Sequence, residues 1–206
     1  MHIAIEGMDG VGKTTVARKL AKRLNYKFIE KPLHYLFDIS EGDFKNYNRI
    51  RDYINAQVNN DVLRAWFYGL GNIFIYHRFK HENIITDRHF GSNYFWCGSE
   101  ETIPIFDLMV DLIGKPDFTI LLYATVEEAE RRIRNRNPND PDIHKAKLHP
   151  EAREKMESFF KAHDMEYITI DTTKLSENEV VEYIIKHLPF KIKNDLRRVI
   201  DEHNTQ

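Results

Sequence analysis

Between positions 7 and 15 the chain reads Gly7-Met8-Asp9-Gly10-Val11-Gly12-Lys13-Thr14-Thr15, which satisfies the spacing G-x-x-x-x-G-K-[ST]. Glycines at three of these positions open backbone conformations closed to other residues, so successive N–H groups can turn inward around phosphate oxygens at the start of a helix. Lys13 adds a mobile charge for the outer phosphates, and the Thr14 hydroxyl is placed to ligate a magnesium ion carried with them. The chemistry expected of this run is the binding of a nucleoside triphosphate with Mg2+. A glycine turn ahead of an ordinary helix is the plain alternative.

Four further groups can act beside that loop. Asp87-Arg88-His89 follows Ile84-Ile85-Thr86, so an acid and a base emerge at the carboxyl end of a predicted strand, the edge where doubly wound sheets bind ligands. Asp87 can hold magnesium directly or through water, and the planar fork of Arg88 can clamp a phosphoryl group. Glu30 ends another strand before Lys31-Pro32, where it can accept a hydroxyl proton from an acceptor or bind its sugar. Asp9 cannot help bind phosphate by charge, so it is expected to face the sugar or metal of a neighbouring substrate. Arg132 and Arg136 are four apart and share a helix face, as a cationic clamp on transferred phosphoryl oxygens requires. Local pairing with Glu127, Glu128 and Glu130 is the alternative for that helix.

The elements that must position these residues follow from periodicity. The run His2-Ile3-Ala4-Ile5 predicts a strand, and Val16, Ala17, Leu20, Ala21 and Leu24 lie on one face of a helix behind the loop. Four more strands are predicted at 26–30, 84–87, 118–123 and 166–171, with helical periodicity between them. Strands alternating with helices give an α/β three-layer fold, a five-stranded parallel sheet flanked by helices. The stretch 61–81 carries Leu63, Trp66, Phe67, Leu70, Ile73, Phe74 and Tyr76, a wide surface expected in the core or at a subunit interface. Residues 131–150 turn to charge, Asn and Pro and predict a mobile arginine-bearing lid. A C-terminal helical tail is expected over 190–206, with Ile192, Leu196, Val199 and Ile200 on one side of a helix at 191–203.

Composition bounds the function. A chain of 206 residues, 42% hydrophobic and 30% charged, suits a single domain over 1–206. A net charge of −2 leaves no electrostatic footprint for nucleic acid or a membrane surface. The one cysteine, Cys97, excludes an internal disulfide and suits a reducing cytoplasm, and in Tyr94-Phe95-Trp96-Cys97 it reads as a buried thiol. No signal segment precedes the first strand, and no apolar stretch is long enough to span a membrane. His77 and His81 lack a third ligand, so they do not form a metal site.

With these residues in hand, the chain resembles the thymidylate kinase and deoxynucleoside kinase superfamily over about 1–188. The run Ile5-Glu6-Gly7 through Thr15 is similar to the thymidylate kinase opening, and Thr86-Asp87-Arg88-His89 followed by Ser92 resembles its Asp-Arg-aromatic/His signature. The resemblance implies ATP as donor, magnesium, a lid at Arg132 and Arg136, and a homodimer. It also implies an acid at Asp9 on the acceptor's sugar and an arginine at Arg88 on phosphate. The family's Arg-Glu-Pro-Gly-Gly-Thr segment is replaced by Glu30-Lys31-Pro32-Leu33-His34. Deoxynucleoside kinases offer a second fit, with Glu30 as the base on a 5′-hydroxyl and with Gln57 seven residues before Arg64, on the long helix, reading base and sugar. Their strand-end Glu-Arg-Ser, however, differs from Asp87-Arg88-His89. The expected function is therefore ATP-dependent phosphoryl transfer to dTMP or a related deoxynucleotide, with a nucleoside kinase as the alternative. A non-enzymatic nucleotide switch is the alternative of another class. The absence of an Asn-Lys-x-Asp tetrad disfavours a guanine switch, and the arginine pair favours transfer.

Overall fold

Strand β1 (His2–Glu6) is buried along most of its length because it lies at the centre of a parallel sheet, whose strands are covered on both faces. The computed structural model describes residues 1–38, 43–58, 60–189 and 192. After β1 come α1 (Lys13–Leu24), β2 (Lys27–Ile29), α2 (His34–Phe37), α3 (Lys45–Gln57), α4 (Asp61–Phe79) and β3 (Ile84–Asp87). Then follow α5 (Phe90–Cys97), α6 (Ile103–Ile113), β4 (Phe118–Tyr123), α7 (Val126–Arg136), α8 (His149–Ala162), β5 (Tyr167–Asp171) and α9 (Glu177–His187). The five strands are parallel in the order β2-β3-β1-β4-β5, with Ile5 beside Asp87 and Glu6 beside Leu121.

Alternation along the strands deals their side chains to two cores. Ile120 and Leu122 join Ile3, Ile5, Val16, Leu20 and Ile184 beneath α1 and α9. Leu121 joins Phe90, Phe106, Met109, Met156 and Phe160 beneath α5, α6 and α8. Helix α1 stops at Asn25, whose left-handed φ of 56° suits asparagine and whose N–H caps the Ala21 carbonyl. The chain leaves β1 toward β2 on one side and leaves β3 toward β4 on the other. A crevice therefore opens at the carboxyl ends of β1 and β3.

Two expectations change. The spacing of Gln57 and Arg64 does not fall on one long helix, because α3 ends at Gln57 and α4 starts afresh at Asp61, where the Asn60 side chain accepts the Leu63 N–H at 2.8 Å. The polar stretch 131–150 is more ordered than a loop. Turns at Asn137 and Asp140 lead into a 3-10 helix, Ile143–Leu148, that buries Ala146, and α8 begins at His149. Helix α4 approaches α6 closely at Gly69, where a Cβ would strike the end of Met109, and it leaves Leu63, Trp66, Leu70 and Tyr76 exposed. The expected helix at 191–203 lies outside the described residues, save for Ile192, which is buried in the first core. No helix among the described residues is long and apolar enough to cross a membrane.

Candidate active site

The phosphate loop links β1 to α1, and its shape needs glycine where the backbone is most crowded. Gly7 has φ +132°, and a Cβ there would strike the Leu122 carbonyl. At Gly10, φ +86°, a Cβ would sit 2.7 Å from the carbonyl oxygen of Ala129 in α7. Three loop carbonyls are held from outside. His149 Nε2 lies 2.9 Å from the Asp9 oxygen, Arg132 donates to the Gly10 oxygen at 3.4 Å, and the Thr172 hydroxyl shares its proton between the Val11 oxygen at 3.2 Å and the Tyr123 oxygen at 3.1 Å. In a trans peptide the N–H points opposite to the carbonyl, so these anchors aim the amides of Gly10, Val11 and Gly12 into the loop.

Lys13, on the first turn of α1, is almost fully buried and donates to the Met8 carbonyl at 2.6 Å. Burial, then the neighbouring Arg88 guanidinium, pushes its ammonium pKa down to about 8. A polyphosphate bound beside it would restore the charged form. Calorimetry at pH 8.5 in buffers of different ionisation enthalpy should therefore find uptake of roughly half a proton or more on ATP binding. Zero uptake would place Lys13 away from the phosphates.

Asp9 and Arg88 join the two sides of the crevice. Arg88 donates to Asp9 Oδ1 at 2.7 Å, with the Lys13 ammonium 3.7 Å from the same oxygen. Arg88, ahead of Lys13, holds the Asp9 carboxyl well below the usual range. Burial disfavours the Arg88 charge, but Asp9, Asp87 and Glu6 outweigh it, and its pKa is raised. The Arg88 backbone sits at φ +89°, a strained position for a residue with a side chain. Buried Glu6 holds the following turn in place. Its Oε1 accepts the N–H groups of His89 at 3.0 Å and Gly91 at 2.8 Å, and its Oε2 accepts the N–H and hydroxyl of Ser92. In sequence Glu6 stands only as part of the loop motif, although an acid inside a central strand was a signal.

Thr14 donates its hydroxyl to Asp87 Oδ2 at 2.5 Å, and burial raises the Asp87 pKa against that bond. A hard cation suits such a pair, since both donors are oxygens and a divalent charge would relieve the buried carboxylate. Among the described residues no cluster of three or more His, Cys, Asp or Glu forms a self-contained metal cage. Any cation here must therefore arrive with other ligands, such as phosphate oxygens.

The remaining candidates divide. Arg132 is committed to the loop, bonding Glu128 at 2.7 Å, the Thr172 hydroxyl at 3.0 Å and the Thr172 carbonyl at 2.6 Å, besides Gly10. Arg136, one turn on, is exposed and pairs with Asp140 at 2.7 Å, while its charge reaches Asp9. Glu30 is held by Arg18 at 2.6 Å and lies 3.8 Å from Lys31. Gln57 is exposed at the end of α3, and Arg64 pairs with Asp61 at 2.8 Å in the first turn of α4. Two residues not singled out from sequence stand nearer the crevice. Tyr47 is buried on α3 within electrostatic reach of Arg88 and Asp87, and the Arg51 guanidinium lies 5.6 Å from its ring centre. Their i, i+4 spacing was the available signal. Cys97 is buried as expected, its thiol pushed up to about 12 by burial, which suits a packing role.

A parallel sheet with this strand order, a phosphate loop after β1 and an Asp-Arg pair after β3 define the nucleotide-kinase class of P-loop phosphotransferases. Residues 5–184 match the family described as thymidylate kinase, and the chain belongs to that family. It is 26% identical over 201 residues to a probable thymidylate kinase of Methanococcus maripaludis, covering 92% of this chain and 96% of that one. It is 31% identical over 195 residues to probable thymidylate kinase 1 of Saccharolobus solfataricus, covering 89% and 94%. The thymidylate kinase structure from Candida albicans has the same fold, with a TM-score of 0.66 at 17% identity over 90% of this chain and 89% of that one. The activity is accordingly that of a nucleotide kinase, with ATP as phosphate donor.

Proposed function

We propose that the chain transfers the γ-phosphoryl group of MgATP to dTMP or a closely related deoxynucleoside monophosphate. The observation that carries this is the Arg88–Asp9 pair, which sets a phosphate-binding cation and a sugar-binding carboxylate side by side in the crevice next to the loop. In this reading residues 7–15 hold the donor's phosphates and Lys13 offsets charge on the transferred group. Thr14 and Asp87 would hold Mg2+, which would supply positive charge against the phosphate oxygens. Arg88 orients the acceptor phosphate and Asp9 its sugar, with Glu30, Gln57, Arg64 and the Tyr47–Arg51 face lining the approach to the base. Arg132 keeps the loop in shape, and Arg136 releases Asp140 to reach the phosphates.

The state of Glu30 favours a monophosphate over a nucleoside. A 5′-hydroxyl needs a base to take its proton, whereas an acceptor phosphate oxygen is already ionised at neutral pH. Glu30 Oε2 is engaged by the Arg18 guanidinium at 2.6 Å and its Oε1 lies 3.8 Å from the Lys31 ammonium, so both oxygens face cations rather than an acceptor hydroxyl. The two relatives named above are both probable thymidylate kinases, which supports dTMP among monophosphates. ADP release should therefore be followed with MgATP and a panel of dTMP, dUMP, dCMP, thymidine and deoxyadenosine. We expect dTMP to lead. Turnover of nucleosides without monophosphates would overturn the assignment.

The exposed apolar stripe of Leu63, Trp66 and Leu70 on α4, beside Leu108 and Leu112 on α6, supports a homodimer through this face, which sedimentation tests. We place the protein in the cytoplasm as one P-loop domain whose lid is the stretch 131–150, acting on small molecules rather than nucleic acid or membrane.

A further inference from the structure

The geometry points to His149 as a positioning residue that fastens the lid to the acceptor side of the phosphate loop. The inference rests on the reading that Asp9 and Arg88 hold the acceptor. Arg132, before the lid turn, bonds the Gly10 carbonyl, and His149, after it, contacts the carbonyl of Asp9. Both stems of the lid are thus tied to consecutive peptides of one loop. The His149 ring is buried, with Nε2 2.9 Å from the Asp9 oxygen and Nδ1 3.4 Å from the Ala124 oxygen. Burial lowers its pKa and keeps the ring neutral, so it has a single N–H to give. The shorter contact assigns that proton to Nε2.

The bond acts at one end of a short chain of contacts. His149 holds the Asp9 carbonyl, and the Asp9 carboxylate holds Arg88 at 2.7 Å. Freeing that peptide lets Asp9 turn and misplaces the guanidinium. The loop beyond it keeps its own anchors in Arg132 and Thr172. Loss of His149 should therefore be felt by the acceptor more than by ATP. His149 follows Leu148 and precedes Pro150, so α8 starts at the ring itself and any shift of the lid stem moves it.

Two amide substitutions separate the ring's two nitrogens. The amide nitrogen of His149→Gln falls near the Nε2 position, and that of His149→Asn near the Nδ1 position. The Gln variant should keep the acceptor KM within about twofold of the parent, while Asn and His149→Leu raise it about tenfold and raise the KM for ATP by only about two- to threefold, because of the loop amides they free only that of Gly10. Equal behaviour of Gln and Asn, or equal changes in both KM values, would overturn the inference. A second readout needs no substrate and survives a wrong acceptor. The Gly10 amide shares a peptide plane with the Asp9 carbonyl, and an amide nitrogen's NMR shift responds to a hydrogen bond on that carbonyl, so the Gly10 15N signal of the nucleotide-free protein should move in Asn and stay near the parent's in Gln. An unmoved Gly10 signal in the Asn variant would refute the tie whatever the protein phosphorylates.

Discussion

Replacing Lys13 by alanine is expected to lower kcat about a thousandfold, equivalent to roughly 4 kcal/mol of transition-state stabilisation, without unfolding the protein. The two halves of that result have one cause. The Lys13 ammonium is nearly fully buried, bonded to the Met8 carbonyl at 2.6 Å and otherwise committed to a site built for anions. In the empty protein it is a desolvated cation beside Arg88, so its removal relieves the fold while it disables the chemistry. The pH dependence has a definite sign. The folded pKa, about 8, lies below the ordinary 10.5, so the folded state penalises the charged form. That penalty is complete below about 8 and fades as pH rises toward 10.5, where the unfolded chain also loses its proton. The melting temperature of Lys13→Ala should exceed that of the parent at pH 7 and converge with it by pH 10. A variant that keeps parental turnover would show that the ammonium does not act on the transferred group.

Local features made the donor half of the site legible in sequence. The phosphate loop is one uninterrupted run, its strand and helix adjoin it, and Asp87-Arg88 was placed by its position at a strand end. The contacts that shape these residues join distant parts of the chain. Glu6 caps the turn through Ser92, His149 reaches Asp9 across most of the sequence, and Thr172 holds Val11 from beyond β5. Only Glu6, an acid inside a central strand, carries a local sign of its contact, and nothing local announces the other two. Glu30 was read as the last residue of its strand and falls just past it, since β2 stops at Ile29, and its ion pair with Arg18 depends on how α1 packs over β2. Composition also misled where burial and turn chemistry won. The stretch 131–150 reads as loop, yet Asn137 and Asp140 turn the backbone and Ala146 is buried. The spacing of Gln57 and Arg64 suggested one helix, but Asn60 starts a new one between them.

Arg88→Ala should reduce kcat/KM for the acceptor by two to three orders of magnitude, about 3–4 kcal/mol, with a much smaller change in the KM for ATP. The Arg88 side chain brings a planar fork to the carboxyl ends of β1 and β3, and its bond to Asp9 orients the carboxylate expected to hold the sugar. Arg88→Lys restores the charge without the fork and should recover only part of the loss. The backbone supplies a control that separates chemistry from strain. At φ +89° alanine and arginine meet the same steric penalty, whereas glycine escapes it. Arg88→Gly should therefore melt above Arg88→Ala while being equally inactive toward the acceptor. Both variants leave Asp9 with the Lys13 ammonium at 3.7 Å as its nearest cation, so its carboxyl pKa should rise toward the ordinary range. If Arg88→Gly kept parental activity, the residue would serve only to close the turn that Glu6 holds. If Gly and Ala failed alike at different stabilities, the guanidinium itself would be what the acceptor requires.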